Sequence, residues 1–290
     1  MKYCATMSTL VVLIISCLSI PVSVMGQKVV FEENFDGLKL GPSQEEGVKK
    51  NNVWTKEGPK GWTIETEFKP KKGAAKLPDG LGITEWMGWS FADHAWWTQT
   101  AGNQGRANWK KAKKTVAIAD PDEWDDEKKD DKSPDDLVSF NSWLSTPPID
   151  ISAISPKSIK LSFDSSFRME KPQQFEVSAK FDNSAPIQIC HIIPDETKDS
   201  IAKVTYKITG KKEDKATSEA NVDFPFTIEI PNPGGAKKMT LTWAVLNADN
   251  DWWWAIDNIK VTGVGGANVA VDAKGKLATS WSSIKSQTPR

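Results

Sequence analysis

Apolar and polar residues alternate with period two wherever the chain shows a regular pattern. Phe175, Val177, Ala179 and Phe181 alternate with Glu176, Ser178 and Lys180, and Met239, Leu241, Trp243 and Val245 alternate with Thr240, Thr242 and Ala244. Successive side chains of a strand point to opposite faces, so both segments predict half-buried β-strands. The same reading predicts strands near 29–35, 62–66, 116–119, 158–165, 188–192, 204–208, 224–230 and 253–261. Turn formers separate them, as in Asp182-Asn183-Ser184 and Pro231-Asn232-Pro233-Gly234-Gly235. No long amphipathic helix competes, and the expected class is all-β, a jelly-roll β-sandwich over residues 27–263.

Between residues 69 and 147 the alternation is mostly lost while tryptophans crowd in, at Trp86, Trp89, Trp96, Trp97, Trp109, Trp124 and Trp143. This reads as a long irregular Trp-rich insertion, and such connections are uncommon unless they serve a function. The chain holds 14 Trp against 2 Tyr. An indole suits a sandwich core and a stacking surface for sugar rings equally well. Trp86, Trp89, Trp96, Trp97 and Trp109 are accordingly expected to be partly exposed and to form a ligand-binding platform. The alternative is that they pin the long connection onto the sheet.

The start of the chain changes the picture of where this fold works. Lys2 precedes a nearly uncharged apolar stretch that ends at Gly26, the pattern of a signal peptide over residues 1–26. A competing reading takes Ile14-Ile15-Ser16-Cys17 as a lipidation site, the only route by which a membrane would be a partner. Either way the expected location is secreted, periplasmic or at the cell surface. Removal of 1–26 leaves Cys190 as the single cysteine, so no intramolecular disulfide is expected and the core must hold the fold. Residues 264–290 read as a short C-terminal tail. A net charge of −1 argues against a nucleic-acid binder, and the Lys110, Lys111, Lys113 and Lys114 run is followed at once by acids from Asp120.

Candidate chemistry is sparse. His94 and His191 offer no zinc-like spacing, and Cys190 and His191 are strand neighbours that point apart. Nucleophile-elbow, phosphate-loop and dinucleotide motifs are absent. Glu123-Trp124-Asp125-Asp126-Glu127 matches the alternating carboxylates of laminarinase-like jelly-roll hydrolases, so a glycoside hydrolase using carboxylates near Asp125 is the enzymatic alternative. Its reverse face is spoiled by Asp126. A second pattern joins the chain ends: Glu33 shares the apolar face of the first strand with Phe31 and Phe35, and Asp257 shares that of the last with Trp253, Ala255 and Ile259. Inward carboxylates are costly unless paired or metal-bound, and terminal strands of an antiparallel sandwich commonly lie side by side. Glu33, Asp36 and Asp257 are therefore the expected oxygen ligands of a structural calcium-like ion.

The same residues carry a resemblance. Phe35-Asp36-Gly37-Leu38 with Gly61-Trp62-Thr63, and the closing Trp254-Ala255-Ile256-Asp257-Asn258-Ile259, look like the ends of MAM-like jelly-roll domains. WWTQTAGNQGR, VAIADPDEWDD, LSTPPIDIS, LSFDSSFRME and NADNDWWWAIDNIKV together resemble the Trp-rich "choice-of-anchor J" type of exported bacterial domain, over roughly Val29 to Val261. The resemblance implies a jelly roll with a cation near Asp36 and Asp257, adhesion or glycan binding as a class, and no defined activity. The disulfide cysteines of vertebrate MAM domains are missing here. The expectation is thus a non-catalytic binding or adhesion module for an extracellular or cell-surface glycan. A purely structural envelope protein is the remaining alternative.

Overall fold

The computed structural model describes residues 26–71, 81–100, 102–126, 138–198 and 200–265. Apart from Gly26, the expected signal peptide with Cys17 lies outside the described residues, as does the tail beyond Gly265. In chain order the strands are β1 (Gln27–Glu33), β2 (Trp54–Thr55), β3 (Thr63–Pro70), β4 (Trp89–Asp93) and β5 (Thr115–Ala119). There follow β6 (Val138–Ser145), β7 (Ile149–Asp150), β8 (Ile159–Phe167), β9 (Gln174–Phe181) and β10 (Ile187–Pro194). The last five are β11 (Ile201–Tyr206), β12 (Lys212–Ala216), β13 (Phe226–Ile230), β14 (Lys238–Ala248) and β15 (Trp254–Val264).

They form two antiparallel sheets. One runs β13-β8-β15-β5-β4-β2, with β1 also joined to β15; the other runs β12-β11-β10-β9-β14-β6-β3, with β7 beside β14. Aromatic side chains from both inner faces meet in the middle. Phe163 on β8 stands edge-on to Trp243 on β14 at 5.7 Å, and Phe175 on β9 stacks on Trp254 of β15 at 4.7 Å. The terminal strands do lie side by side, with Glu33 opposite Ile259.

The segment 69–147 is more regular than its pattern suggests. It supplies β4 and β5 to one sheet and β6 to the other, together with two short helices, α1 (His94–Thr100) and α2 (Pro121–Asp125). Period two is lost in β4 and β5 because they are buried on both faces, every residue of β5 and all but Asp93 of β4. A strand covered on both sides has no polar face to alternate with. Among the described residues no helix is long and apolar enough to cross a membrane.

Candidate functional site

The five tryptophans expected to form a platform do not form one. Trp86, Trp89, Trp96 and Trp97 are fully buried and Trp109 is 1% exposed. They pack in pairs and pin chain to chain. Trp86 stacks on Trp96 at 5.5 Å, Trp89 packs on Trp254, and Trp97 stands edge-on to Trp253 at 5.8 Å. Indole N–H groups tie the connections down: Trp86 donates to Glu46 Oε2 (2.9 Å), Trp96 to the Val48 carbonyl (2.8 Å) and Trp97 to Asp120 Oδ2 (2.7 Å). The pinning alternative describes these residues.

At the centre of this layer lies a buried guanidinium. Arg106 Nη2 is 3.0 Å from both Asp120 Oδ2 and Glu123 Oε1, and its guanidinium carbon lies 5.0 and 4.9 Å from the Trp97 and Trp253 rings. One positive charge here faces two buried acids. Burial and the neighbouring Asp120 carboxylate push the Glu123 pKa up, and burial raises Asp120 against the opposing pull of Arg106. Arg106, Asp120 and Glu123 are all 1% exposed or less, and the cluster ties α2 to the short turn that carries Arg106. The alternating-carboxylate motif of the hydrolase reading is likewise not on a strand. Its first three residues, Glu123, Trp124 and Asp125, are buried and sit on α2, where alternate positions do not share a face, and Glu127 lies outside the described residues.

The expected calcium ligands are placed differently from one another. Glu33 Oε1 accepts the backbone N–H groups of Asn34 (3.0 Å) and Phe35 (2.7 Å), so that carboxylate closes the turn after β1. Asp36 Oδ2 is 3.2 Å from Lys114 Nζ. Asp257, 2% exposed, accepts the Asn258 N–H at 2.7 Å; burial, with smaller contributions from the Asp36 and Asp164 carboxylates, raises its pKa to about 7. Asp36 and Asp257 do come within electrostatic reach, as the strand faces imply. Among the described residues, however, no three His, Cys, Asp or Glu side chains are grouped so that they could hold a metal ion.

The open concave site is elsewhere, on the outer face of the eight-stranded sheet. It is a groove of about 950 Å³ over β3, β6, β14, β9 and β10. Strand alternation dictates its floor: Phe175, Val177 and Ala179 of β9 face the core, so Glu176, Ser178 and Lys180 face out, and Thr240 and Thr242 do the same on β14. The register aligns these outward residues in rows. Thr63, Ser145, Thr242, Ser178 and Gln188 stand opposite one another on the five strands. The next row is Glu65, Trp143, Ala244 and Glu176. Ser145 and Thr242 hydroxyls bond to each other at 2.8 Å.

Trp143 is the aromatic residue of this floor. Three described tryptophans are only half-buried, Trp62, Trp143 and Trp252. Trp62 stacks on Trp243, and the Arg168 guanidinium covers Trp252 at 3.5 Å. Trp143 has no ring or cation partner among the described residues, which leaves an indole face to meet a ligand. Sequence reading passed over it because Ser142, an inward residue bonded to the Glu65 carbonyl, blurs the alternation of β6. Phe140 and Leu144 carry the signal that could have found it: both face inward, which puts Trp143 outward.

The remaining reactive side chains are structural. Cys190 is buried and burial pushes its thiol up to about 12. His94 lies edge-on to Trp109 at 5.6 Å, and His191 Nε2 bonds to Gln174 Oε1 at 3.0 Å.

No protein-family model matches the chain, and no curated protein does. Among solved structures it is similar to a Fischerella cyclase in its apo form, at 9% identity and a TM-score of 0.37, over 83% of this chain and 98% of that one. It is also similar to the mannan-recognising carbohydrate-binding module TmCBM27 (10% identity, TM-score 0.32, 82% and 98% covered). A third is TmCBM61, solved with β-1,4-galactotriose (10% identity, TM-score 0.32, 68% and 86% covered). These likenesses assign neither a ligand nor an activity to this chain.

Proposed function

We propose that this protein is an exported, non-catalytic glycan-binding module that holds its ligand in the groove of the eight-stranded sheet. The observation that carries the reading is Trp143, an unstacked, half-buried indole set among hydroxyls and carboxylates. A sugar ring presents an apolar C–H face and a rim of hydroxyls, and this floor offers a partner for each. The export half of the reading rests on the sequence pattern of residues 1–26.

Hydrolysis is less well served. A glycosidase holds its two carboxyls roughly 5 to 9.5 Å apart. Glu65 and Glu176 flank Trp143 and Ala244 from strands three steps apart, a backbone separation of about 14 Å. A purely structural role accounts for the five buried tryptophans but gives Trp143 nothing to do.

A glycan array on the protein without residues 1–26, followed by calorimetry on its hits, tests the reading. Trp143→Ala should weaken binding at least about tenfold, some 1.4 kcal/mol, while leaving the melting temperature nearly unchanged. Trp97→Ala, by contrast, should destabilise by about 3 to 5 kcal/mol. Retention of full glycan affinity by Trp143→Ala would remove the basis of the proposal.

A further inference from the structure

We infer, resting on the glycan reading, that the groove takes an extended, uncharged polysaccharide chain laid across the strands and not along them. Chemistry differs between the two directions. Along β9 a ligand would pass Glu176, Ser178 and Lys180, a negative, a neutral and a positive group in turn. Across the sheet it meets Thr63, Ser145, Thr242, Ser178 and Gln188, five strands in succession with a neutral polar side chain on each. Hydroxyls and amides both donate and accept, as sugar hydroxyls do. Their spacing is the strand spacing, about 4.8 Å, so the row repeats at nearly the advance of one ring in an extended sugar chain and spans about 19 Å.

The flanks of the row argue for an uncharged chain. Glu65 and Glu176 lie on the Trp143 side, and carboxylates accept sugar O–H groups well while opposing a uronate or sulfate set against them. Lys180 and Lys238 lie on the other side, with Asp182 bound to the Lys238 backbone N–H at 2.9 Å. Positive and negative margins of similar size leave no net attraction for a polyanion. The row begins at β3, an edge strand, so the sheet itself sets no wall at that end and a long chain can run past it.

Calorimetry with β-1,4-linked gluco-, manno- and xylo-oligosaccharides of one to six units tests this, with oligogalacturonates of the same lengths as the acidic arm. Affinity for a neutral series should rise with each unit until the chain matches the row, roughly four units at about one strand spacing each, and then level off. Ser178→Ala and Thr242→Val should each lower affinity about three- to tenfold for the longer chains. Neither should change the binding of the shortest ligands. Full affinity at one unit, equal binding of galacturonates, or long-chain binding that Ser178→Ala and Thr242→Val leave intact while Trp143→Ala abolishes it, would each overturn the crossing chain and leave glycan binding standing. Absence of binding in every series, with Trp143→Ala indistinguishable from the parent, would overturn both.

Discussion

Trp143 on β6 stands directly opposite Ala244 on β14, so the largest side chain of the groove floor has the smallest as its neighbour. The Ala244 methyl is only 3% exposed, so a larger side chain there must displace its neighbours in the floor, the indole among them. Ala244→Gln should therefore disturb the seat of the indole. Glycan affinity should fall about tenfold or more, with a loss of unfolding free energy of about 1 to 3 kcal/mol. Calorimetry and urea titration of the same preparation separate the two effects.

Stability should fall as pH rises from about 6.5 to 8. Burial raises Asp257 to about 7 and Asp251 to about 8, and Glu123 is raised in the same direction. A carboxyl with a raised folded pKa binds its proton more tightly in the native state. Its contribution is therefore complete below the unfolded value, near 4, and is lost as pH climbs through the folded value. His94 and His191, lowered by burial, act the opposite way only below their ordinary value of 6.5, and Lys56, lowered by burial to about 8, reverses the trend only above that. Melting temperatures at half-unit steps between pH 6.5 and 8 should decline steadily, and a flat or rising series would contradict the burial of these acids.

The sheets were largely legible in the sequence because half-buried strands advertise themselves by alternation. β9 follows it residue by residue and β14 does so as far as Trp243, while the adjacency of β1 and β15 was expected from the common pairing of terminal strands in antiparallel sandwiches. β4 was illegible for the reason that makes it a good strand, burial on both faces. The groove was hidden differently. Its row of Thr63, Ser145, Thr242, Ser178 and Gln188 exists only through register, and register between strands far apart in sequence leaves no local trace. The buried tryptophans misled because an indole serves a core and a platform with the same chemistry, and only the sheet they cover decides which.

Arg106→Met should be among the most destabilising substitutions in the chain. It removes the one guanidinium that faces Asp120 and Glu123 while keeping most of the volume between Trp97 and Trp253. Breaking a buried ion pair from one side costs about 3 to 5 kcal/mol because the partner charge is left without compensation. Adding Asp120→Asn and Glu123→Gln to Arg106→Met should recover a substantial part of the loss, measured as a return of the urea midpoint. No recovery would mean that the damage lies in packing against the two indoles.

Asp257 is expected to be held by a proton and its hydrogen bonds, with no dependence on calcium. Its carboxyl is buried, accepts the Asn258 N–H and lies in the field of Asp36 and Asp164, and among the described residues no three His, Cys, Asp or Glu side chains are grouped to hold a metal ion. Asp257→Asn should then come closest to the parent in melting temperature near pH 4, where the carboxyl is largely neutral in both the folded and the unfolded chain. Above pH 7 it should be the more stable of the two, because the parent alone must ionise a buried group. Chelator or millimolar calcium should leave both proteins unchanged at either pH. A melting temperature that rises with calcium in the parent and not in Asp257→Asn would show instead that an ion binds there, since a ligand of the native state alone adds about 2.7 kcal/mol at 100 times its Kd.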